Sequence, residues 1–379
     1  MSEIFYLDNS ATTKPCDEAV EAINIALKET WGNPSSLHSL GMEAEQAVFS
    51  CKEVIAKKLS CRADEIYFTG SGTEANNIAI LGAAEKGAKR GKRIVTTAIE
   101  HPSVTNTVKS LEAKGFEIVY MKPDGFGKIS PQEISRCITA DTVLVSMMLI
   151  NNEIGSIQPI AEAAAAIKRA GAPALLHCDA VQGFGKLDIK PAALGIDLMT
   201  ASGHKIHAPK GIGFLYIKKG VHISPTIFGG GQQNGIRPGT EPVPAIAALS
   251  AAVKALPDTK TQLAATGELW EYAKDSLLKT GFVEINSPDD ALPYVLNVSV
   301  PGYRSETLLH FLEAKNIYVS SGSACAKGDF SPTLTAMGLS KARIDSALRI
   351  SFSRFNTKDD IDRLCEVLST AVEKLRRTK

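Results

Sequence analysis

The sequence predicts an α/β fold, with a mainly parallel sheet covered by helices and a smaller α+β domain beside it. Three observations carry that prediction. Short apolar runs alternate with amphipathic segments from residue 65 to residue 201. Some runs, TVLVSMM at 142–148 above all, are apolar on both faces, as in a strand buried on both sides. The alternation ends at a Gly-rich stretch, FGGGQQNGIRPGTEP, and a different layout follows.

Taken in order, Glu65–Thr69 reads as a strand that runs through GSGTEANN into a helix over Ile78–Ala88. Arg93–Thr97 is the next strand, followed by a turn at His101 and a helix over Ser103–Lys114. Glu117–Met121 is a strand and Ser130–Cys137 a helix. Strand Thr142–Met148 leads through NNEIG to the helix Ile160–Ala170. Strands Ala174–His177 and Asp197–Ala201 follow. GIGFLYIKK has no helix just before it, so antiparallel pairing is expected there. The polar stretch 228–242 is an ordered loop or a linker. Beyond it lie helices at Val243–Ala255 and Gln262–Lys279, separated by Pro257-Asp258. Strands are expected at Val283–Ile285 and Tyr294–Val300, helices at Glu306–Lys315 and Asp359–Arg376, and a Gly/Ser loop at Ser320–Gly328. The expected division is a large domain of residues 14–256 and a small one of residues 257–379, onto which residues 1–13 pack.

Composition narrows the function. The 379 residues hold 42 Lys+Arg against 41 Asp+Glu, a net charge of +1 that gives no electrostatic basis for binding nucleic acid or an anionic membrane. The Ala-rich runs 163–167 and 245–256 are too short to span a bilayer. MSEIFYLDNS lacks the basic start of a signal peptide. Seven cysteines, an odd number without a Cys-x-x-Cys pair, point away from disulfides and structural zinc and towards the reducing cytoplasm.

Ligands of open α/β sheets bind beyond the carboxyl ends of the strands. Five successive strand ends here carry Gly70-Ser71-Gly72-Thr73, Glu100-His101, Asn151-Asn152, Asp179 with Gln182, and Ser202-Gly203-His204-Lys205. Gly70-x-Gly72-x-x-Ala75 formally matches the dinucleotide fingerprint, but a plain tight turn gives the same pattern. Glu100 also lies too far along to be the acid that holds a ribose. Singly, Asp179 reads as a helix cap, His101 as a cap or core-edge imidazole, and Lys205 as a solvated lysine. Together they describe a site for pyridoxal phosphate. Such a site needs an amine (Lys205), an acid for the ring nitrogen (Asp179), a flat group to stack on the ring (His101) and an amide for the phenolic oxygen (Gln182 or Asn152). Phosphate ligands would come from Gly72 and Thr73 at a helix N-terminus and from Ser202 and His204.

The segments YLDNSATT, GNPSSLH, FTGSGTEANN, NNEIG, HCDAVQ, SGHKIHAPKGIG, RPGTE, SSGSACA and LRIS follow one another along nearly the whole chain. In this the sequence closely resembles the cysteine desulfurases of the NifS/IscS type, which are class V aminotransferase-like, fold-type I enzymes that depend on pyridoxal 5′-phosphate. The resemblance implies a seven-stranded sheet in the large domain. It implies that Lys205 carries the cofactor and shuttles a proton, that Asp179 pairs with the ring nitrogen and that His101 stacks on the ring. Gln182 and Asn152 would contact ring substituents, Gly72, Thr73, Ser202 and His204 the phosphate, and Thr240 the phosphate of the neighbouring subunit in a homodimer. Arg349 would clamp the substrate carboxylate with its guanidinium fork.

Cys325 stands apart from the other cysteines because Ser, Gly and Ala surround it, a context foreign to a helix or strand core. By the resemblance it lies on a mobile loop at about 320–330, takes sulfur from L-cysteine as a persulfide, leaves L-alanine, and passes the sulfur on. The acceptor would be an iron–sulfur scaffold or a tRNA-thiolation enzyme. The sequence stops at KLRRTK, where by the resemblance the long C-terminal tail of scaffold-binding relatives would be short or missing, which leaves the acceptor open. A selenocysteine lyase and a class V aminotransferase are the alternatives within the same cofactor class.

Overall fold

The computed structural model describes residues 3–321 and 330–377. In chain order the elements are β1 (Phe5–Tyr6), α1 (Asp17–Glu29), α2 (Ser39–Leu59), β2 (Ile66–Thr69), α3 (Gly72–Gly87), β3 (Arg93–Thr97), α4 (Pro102–Glu112), β4 (Glu117–Met121) and α5 (Pro131–Cys137). There follow β5 (Thr142–Met148), α6 (Ile160–Arg169), β6 (Leu175–Asp179), β7 (Leu198–Ser202), β8 (Gly213–Ile217), α7 (Val243–Lys254) and α8 (Thr259–Lys279). The remainder is β9 (Glu284–Ile285), β10 (Val295–Ser299), α9 (Ser305–Glu313), β11 (Ile317–Tyr318), β12 (Ser320–Ser321), α10 (Pro332–Ala336), α11 (Lys341–Asp345), β13 (Ala347–Ser351) and α12 (Lys358–Lys374).

Strands β2 to β8 form one seven-stranded sheet in the order β2-β8-β7-β6-β5-β3-β4. The pairs from β7 through β4 are parallel. β8 is antiparallel to both β2 and β7, as its position without a preceding helix leads one to expect. The period-2 alternation of strand side chains divides the sheet into two cores. Ile94, Leu144, Leu198 and Leu215 meet Ile78, Ala79, Val104 and Val108 from α3 and α4. Their neighbours Val95, Val145, Met199 and Phe214 face the other way, towards Val48, Ile55, Ala163 and Leu249 from α2, α6 and α7. Both faces are therefore dry, which is why β5 is buried at every residue.

A second sheet, β12-β13-β10-β9, is antiparallel and packs α8, α9 and α12 around Trp270, Leu296, Leu308, Ile350 and Leu364. β1 joins β11 in parallel, and Leu7 lies in this same core.

Two differences from the sequence reading have clear physical reasons. α3 begins at Gly72 rather than at residue 78, because Ser71 caps it: its Oγ accepts from Glu74 N at 3.1 Å. α8 begins at Thr259, three residues early, because Asp258 accepts from Thr261 N at 3.0 Å. Each start lies in a polar run that shows no apolar period and is fixed by a cap instead.

Gly72 is where the first of these helices approaches the sheet closely. A Cβ there would lie 2.9 Å from Val181 Cγ2 and 3.3 Å from Ser202 Cβ. Gly267, inside α8, has open space where a Cβ would go. Gly72→Ala is expected to cost about 1–3 kcal/mol through overpacking, whereas Gly267→Ala should stabilise by about 0.5–1 kcal/mol. Chemical denaturation of the two variants checks both signs.

Candidate active site

The parallel strands β3, β5, β6 and β7 end along one edge of the sheet, and each ends in a residue with chemistry to offer. Asp179 is the last residue of β6 and is buried. Its Oδ1 accepts from Val181 N at 3.0 Å, so it does cap the following turn. Its Oδ2 accepts from Asn76 Nδ2 at 2.8 Å, and the same amide also donates to Ser103 Oγ at 2.8 Å. His101 is the cap of α4, accepting from Ser103 N at 3.1 Å on Nδ1, while the ring itself remains exposed. The capping role expected of His101 thus holds, whereas Asp179 caps a turn and not the expected helix; both still face the cleft.

Lys205 departs from its modest role: it is not a solvated lysine. It closes a short 3-10 turn, Gly203–Lys205, directly after β7. Its Nζ donates to two backbone carbonyls, Ser10 O at 2.5 Å and Ala11 O at 2.8 Å. Burial first and Arg349 second pull its pKa down, Asp8 and Asp179 pull it up, and the balance is about 8. An amine poised near neutrality can act as nucleophile and as base. The amine, the two acids and the guanidinium, all from different chain segments, therefore lie within electrostatic reach of one another.

The N-terminal segment is what closes that cleft. Thr13 N donates to His204 O at 2.9 Å, and His207 N donates to Thr13 Oγ1 at 2.8 Å. Ser10 N donates to Ser351 Oγ at 2.8 Å, which ties the same segment to β13. Asp8 accepts from Arg349 Nη2 at 2.9 Å, and Arg349 Nη1 donates to Asn152 O at 3.1 Å. The Asn152 amide itself is half-buried and has no partner among the described residues.

The residues expected to bind phosphate also come together. Gly72 and Thr73 open α3, whose first amides have no helical partner, and Ser202 packs against Gly72. His204 Nδ1 lies 3.2 Å from Thr12 Oγ1; burial and the Lys205 and Lys210 charges lower its pKa to about 4, leaving a neutral imidazole. Gln182 is buried, and its Nε2 donates to Ser10 O at 2.9 Å. Thr240 is exposed on the 228–242 loop, three residues from Arg237, which pairs with Glu74 at 3.2 Å. Cys325 lies outside the described residues.

The donor set fits pyridoxal phosphate. An amine, a buried carboxylate, an open imidazole face and a helix N-terminus with a hydroxyl beside it are what that molecule requires. Three buried polar atoms around the cleft, Asn76 Oδ1, Ser10 Oγ and Arg349 Nε, find no partner among the described residues. A bound molecule rich in hydrogen-bonding groups would supply partners. Asp8, Ser10, Asn76 and Ser103 were not picked out from the sequence. Asp8 and Asn76 lie inside the quoted motifs, YLDNSATT and GSGTEANN, and a search for acids and amides within those motifs finds them. Ser10 acts through its backbone carbonyl, which no side-chain pattern reveals.

The family model for Aminotransferase class-V matches residues 5–364. The cysteine desulfurase IscS of Methanosarcina thermophila is 41% identical over 375 residues, covering 98% of this chain and 92% of that relative. A solved NifS-like protein superposes with a TM-score of 0.93 at 35% identity, covering 98% of this chain and 100% of that one. SspA, solved in complex with cysteine, gives a TM-score of 0.83 at 34% identity, with 93% and 99% covered.

The charges around Lys205 make a signed prediction. In cofactor-stripped protein, the rate at which Lys205 reacts with added pyridoxal phosphate should rise with pH through a midpoint near 8. Asp8→Asn removes a neighbour that favours the ammonium and should lower the midpoint. Arg349→Gln removes one that opposes it and should raise the midpoint. Visible absorbance of the coloured adduct, followed across pH, reads all three.

Proposed function

The chain belongs to the class-V aminotransferase family and, within it, to the cysteine desulfurases; from that premise we propose that it takes sulfur from L-cysteine through Cys325 and releases L-alanine. Its cofactor is pyridoxal 5′-phosphate, which when bound supplies an electron sink that makes the carbon–sulfur bond cleavable. The observation that carries the reading is the convergence of Lys205, Asp179 and Arg349 on one cleft at the sheet edge.

Each residue has a definable task. Lys205 Nζ, with a pKa of about 8, can hold the cofactor and take the α-proton of the substrate near neutral pH. Asp179, fixed on both oxygens by Asn76 and Val181, is the carboxylate that would pair with the ring nitrogen. His101 offers the ring face and a second proton-handling group. Arg349, 5% exposed and oriented by Asp8, receives the substrate carboxylate on its planar fork, and Asn152 next to it gives an amide. The N-terminus of α3, Thr73, Ser202 and neutral His204 bind the phosphate.

Cys325 would complete the reaction. Its thiolate attacks the substrate sulfur, one S–S bond forms and the C–S bond breaks. The carbon takes the electron pair and a proton, so alanine leaves and Cys325 holds the sulfur as a persulfide. No external oxidant is needed. The persulfide then passes to an acceptor protein of an iron–sulfur or tRNA-thiolation pathway in the cytoplasm. Among the described residues, no helix is long and apolar enough to cross a membrane.

A homodimer belongs to the same reading. Trp31, Leu37, Met42 and Phe49, on the turn between α1 and α2 and on α2 itself, expose apolar side chains on one stretch of chain, with Leu37 96% exposed. Phe228, at the start of the loop that carries Thr240, is also exposed. A second copy covering them would bring Thr240 to its partner's phosphate. The division into residues 14–256 and residues 1–13 with 257–379 is supported by the separate core around Trp270 and Leu296, which includes Leu7.

Two variants test the chemistry. Cys325→Ser should keep the visible absorbance of the bound cofactor but lose at least about 99% of alanine formation from cysteine, the scale expected when a covalent nucleophile is removed. Full turnover in that variant contradicts the sulfur-acceptor role. Lys205→Ala should lose the lysine-linked absorbance altogether.

A further inference from the structure

Lys186 is a buried lysine that none of the steps above uses. It is 7% exposed, and its Nζ donates to a single hydrogen-bond acceptor, Gln182 Oε1, at 3.1 Å. It has no carboxylate partner among the described residues; the Tyr294 ring, 5.3 Å from Nζ, is its only other electrostatic support. A lysine stem costs side-chain entropy and desolvation to bury, so a position that keeps one invites a reason.

The bonds beyond it supply that reason. Gln182 is held at both ends: Oε1 by Lys186, and Nε2 by Ser10 O at 2.9 Å. Ser10 O is also the shorter of the two acceptors that hold the Lys205 amine. The chain Lys186, Gln182, Ser10 carbonyl, Lys205 is therefore continuous. The two lysines also line one cavity of about 30 Å³, together with Thr13, His207, Tyr294 and Arg354. An amide whose oxygen is claimed by an ammonium or amine donor must present its NH₂ elsewhere, here towards Ser10 and the cleft.

We propose that Lys186 is a positioning residue, which locks the Gln182 amide with its NH₂ towards the cleft and so fixes where the Lys205 amine rests. This rests on the reading of Lys205 as the cofactor-bearing amine. Without the donor at 186, the Gln182 oxygen is free to turn towards Lys205 and stabilise its ammonium. The groups facing Lys205 are Arg349 from β13, Asp8 from the N-terminal segment, Asp179 from β6, and His101 and His204; those facing Lys186 are Lys205, Arg349, His204, His207, Arg354 and Tyr294. Burial and the Lys205 and Arg349 charges hold Lys186 itself near a pKa of about 7, so its main influence above that pH is as a hydrogen-bond donor.

The test follows the coloured adduct formed when pyridoxal phosphate is added to full-length, cofactor-stripped protein, at a series of pH values. Lys186→Met should move the midpoint upward by about half a pH unit, or about threefold in rate near neutrality. Gln182→Leu should move it too, and the double variant no further than the larger single effect, because both act through one amide. Lys186→Leu carries the same comparison if the methionine variant does not fold. A folded variant lacking the donor with the wild-type midpoint overturns the proposal, as do shifts that add in the double variant. If the wild-type protein forms no coloured adduct at all, the cofactor assignment fails instead.

Discussion

A lysine amine held out of water, with a guanidinium pressing its proton off and two carboxylates drawing it back, is the constraint around which this molecule is arranged. Lys205 reaches that balance because its backbone and its neighbours come from four distant parts of the chain. The turn after β7 sets its Cα, Ser10 and Ala11 receive its Nζ, Arg349 arrives from β13, and Asp179 ends β6. An amine in open solvent would remain an ammonium at neutral pH, and no reaction needing its lone pair would begin.

The sheet topology makes that gathering possible. In a parallel sheet, adjacent strands deliver their following loops to the same edge, so Asp179, the Lys205 turn, Asn152 and His101 become neighbours without any long excursion of the chain. The N-terminal segment adds what the sheet cannot. By pairing with Ser351 on one side and with His204 and His207 on the other, residues 8–13 join the second sheet to the first. The result is that Arg349, on the antiparallel sheet, stands beside a lysine from the parallel one.

Much of this was legible before any coordinates. The seven strands of the parallel sheet were expected within two residues of their observed ends, because buried strands are apolar on both faces and the turns carry Gly, Asn or Asp. Lys205, Asp179, His101 and their neighbours stand out as candidates because five strand ends in succession carry unusual chemistry, whereas Arg349, Thr240 and the role of Cys325 rest on the family resemblance. Helices α1 and α2 were not anticipated. In α2 the side that packs inward is built from Gly41, Ala44, Val48 and Cys51, while Leu40, Met42 and Phe49 stay exposed. With apolar residues on both sides, no 3.6-residue stripe stands out. β13 was missed as a strand because its centre is Arg349, a charge that a strand pattern would not place in a buried position. The Ser10 and Ala11 carbonyls were invisible for a deeper reason: they act as backbone groups, and the sequence does not say which carbonyl a distant amine will find.

The central claim, that a lysine-borne pyridoxal phosphate in this cleft cleaves the carbon–sulfur bond of cysteine, is most directly tested by the absorbance spectrum of the purified protein before and after L-cysteine is added, with alanine assayed in the same sample. The account predicts a yellow protein whose visible band changes on addition, and alanine formed in step with the sulfur released. A colourless protein that takes up no pyridoxal phosphate, or a yellow one that yields no alanine, would contradict it.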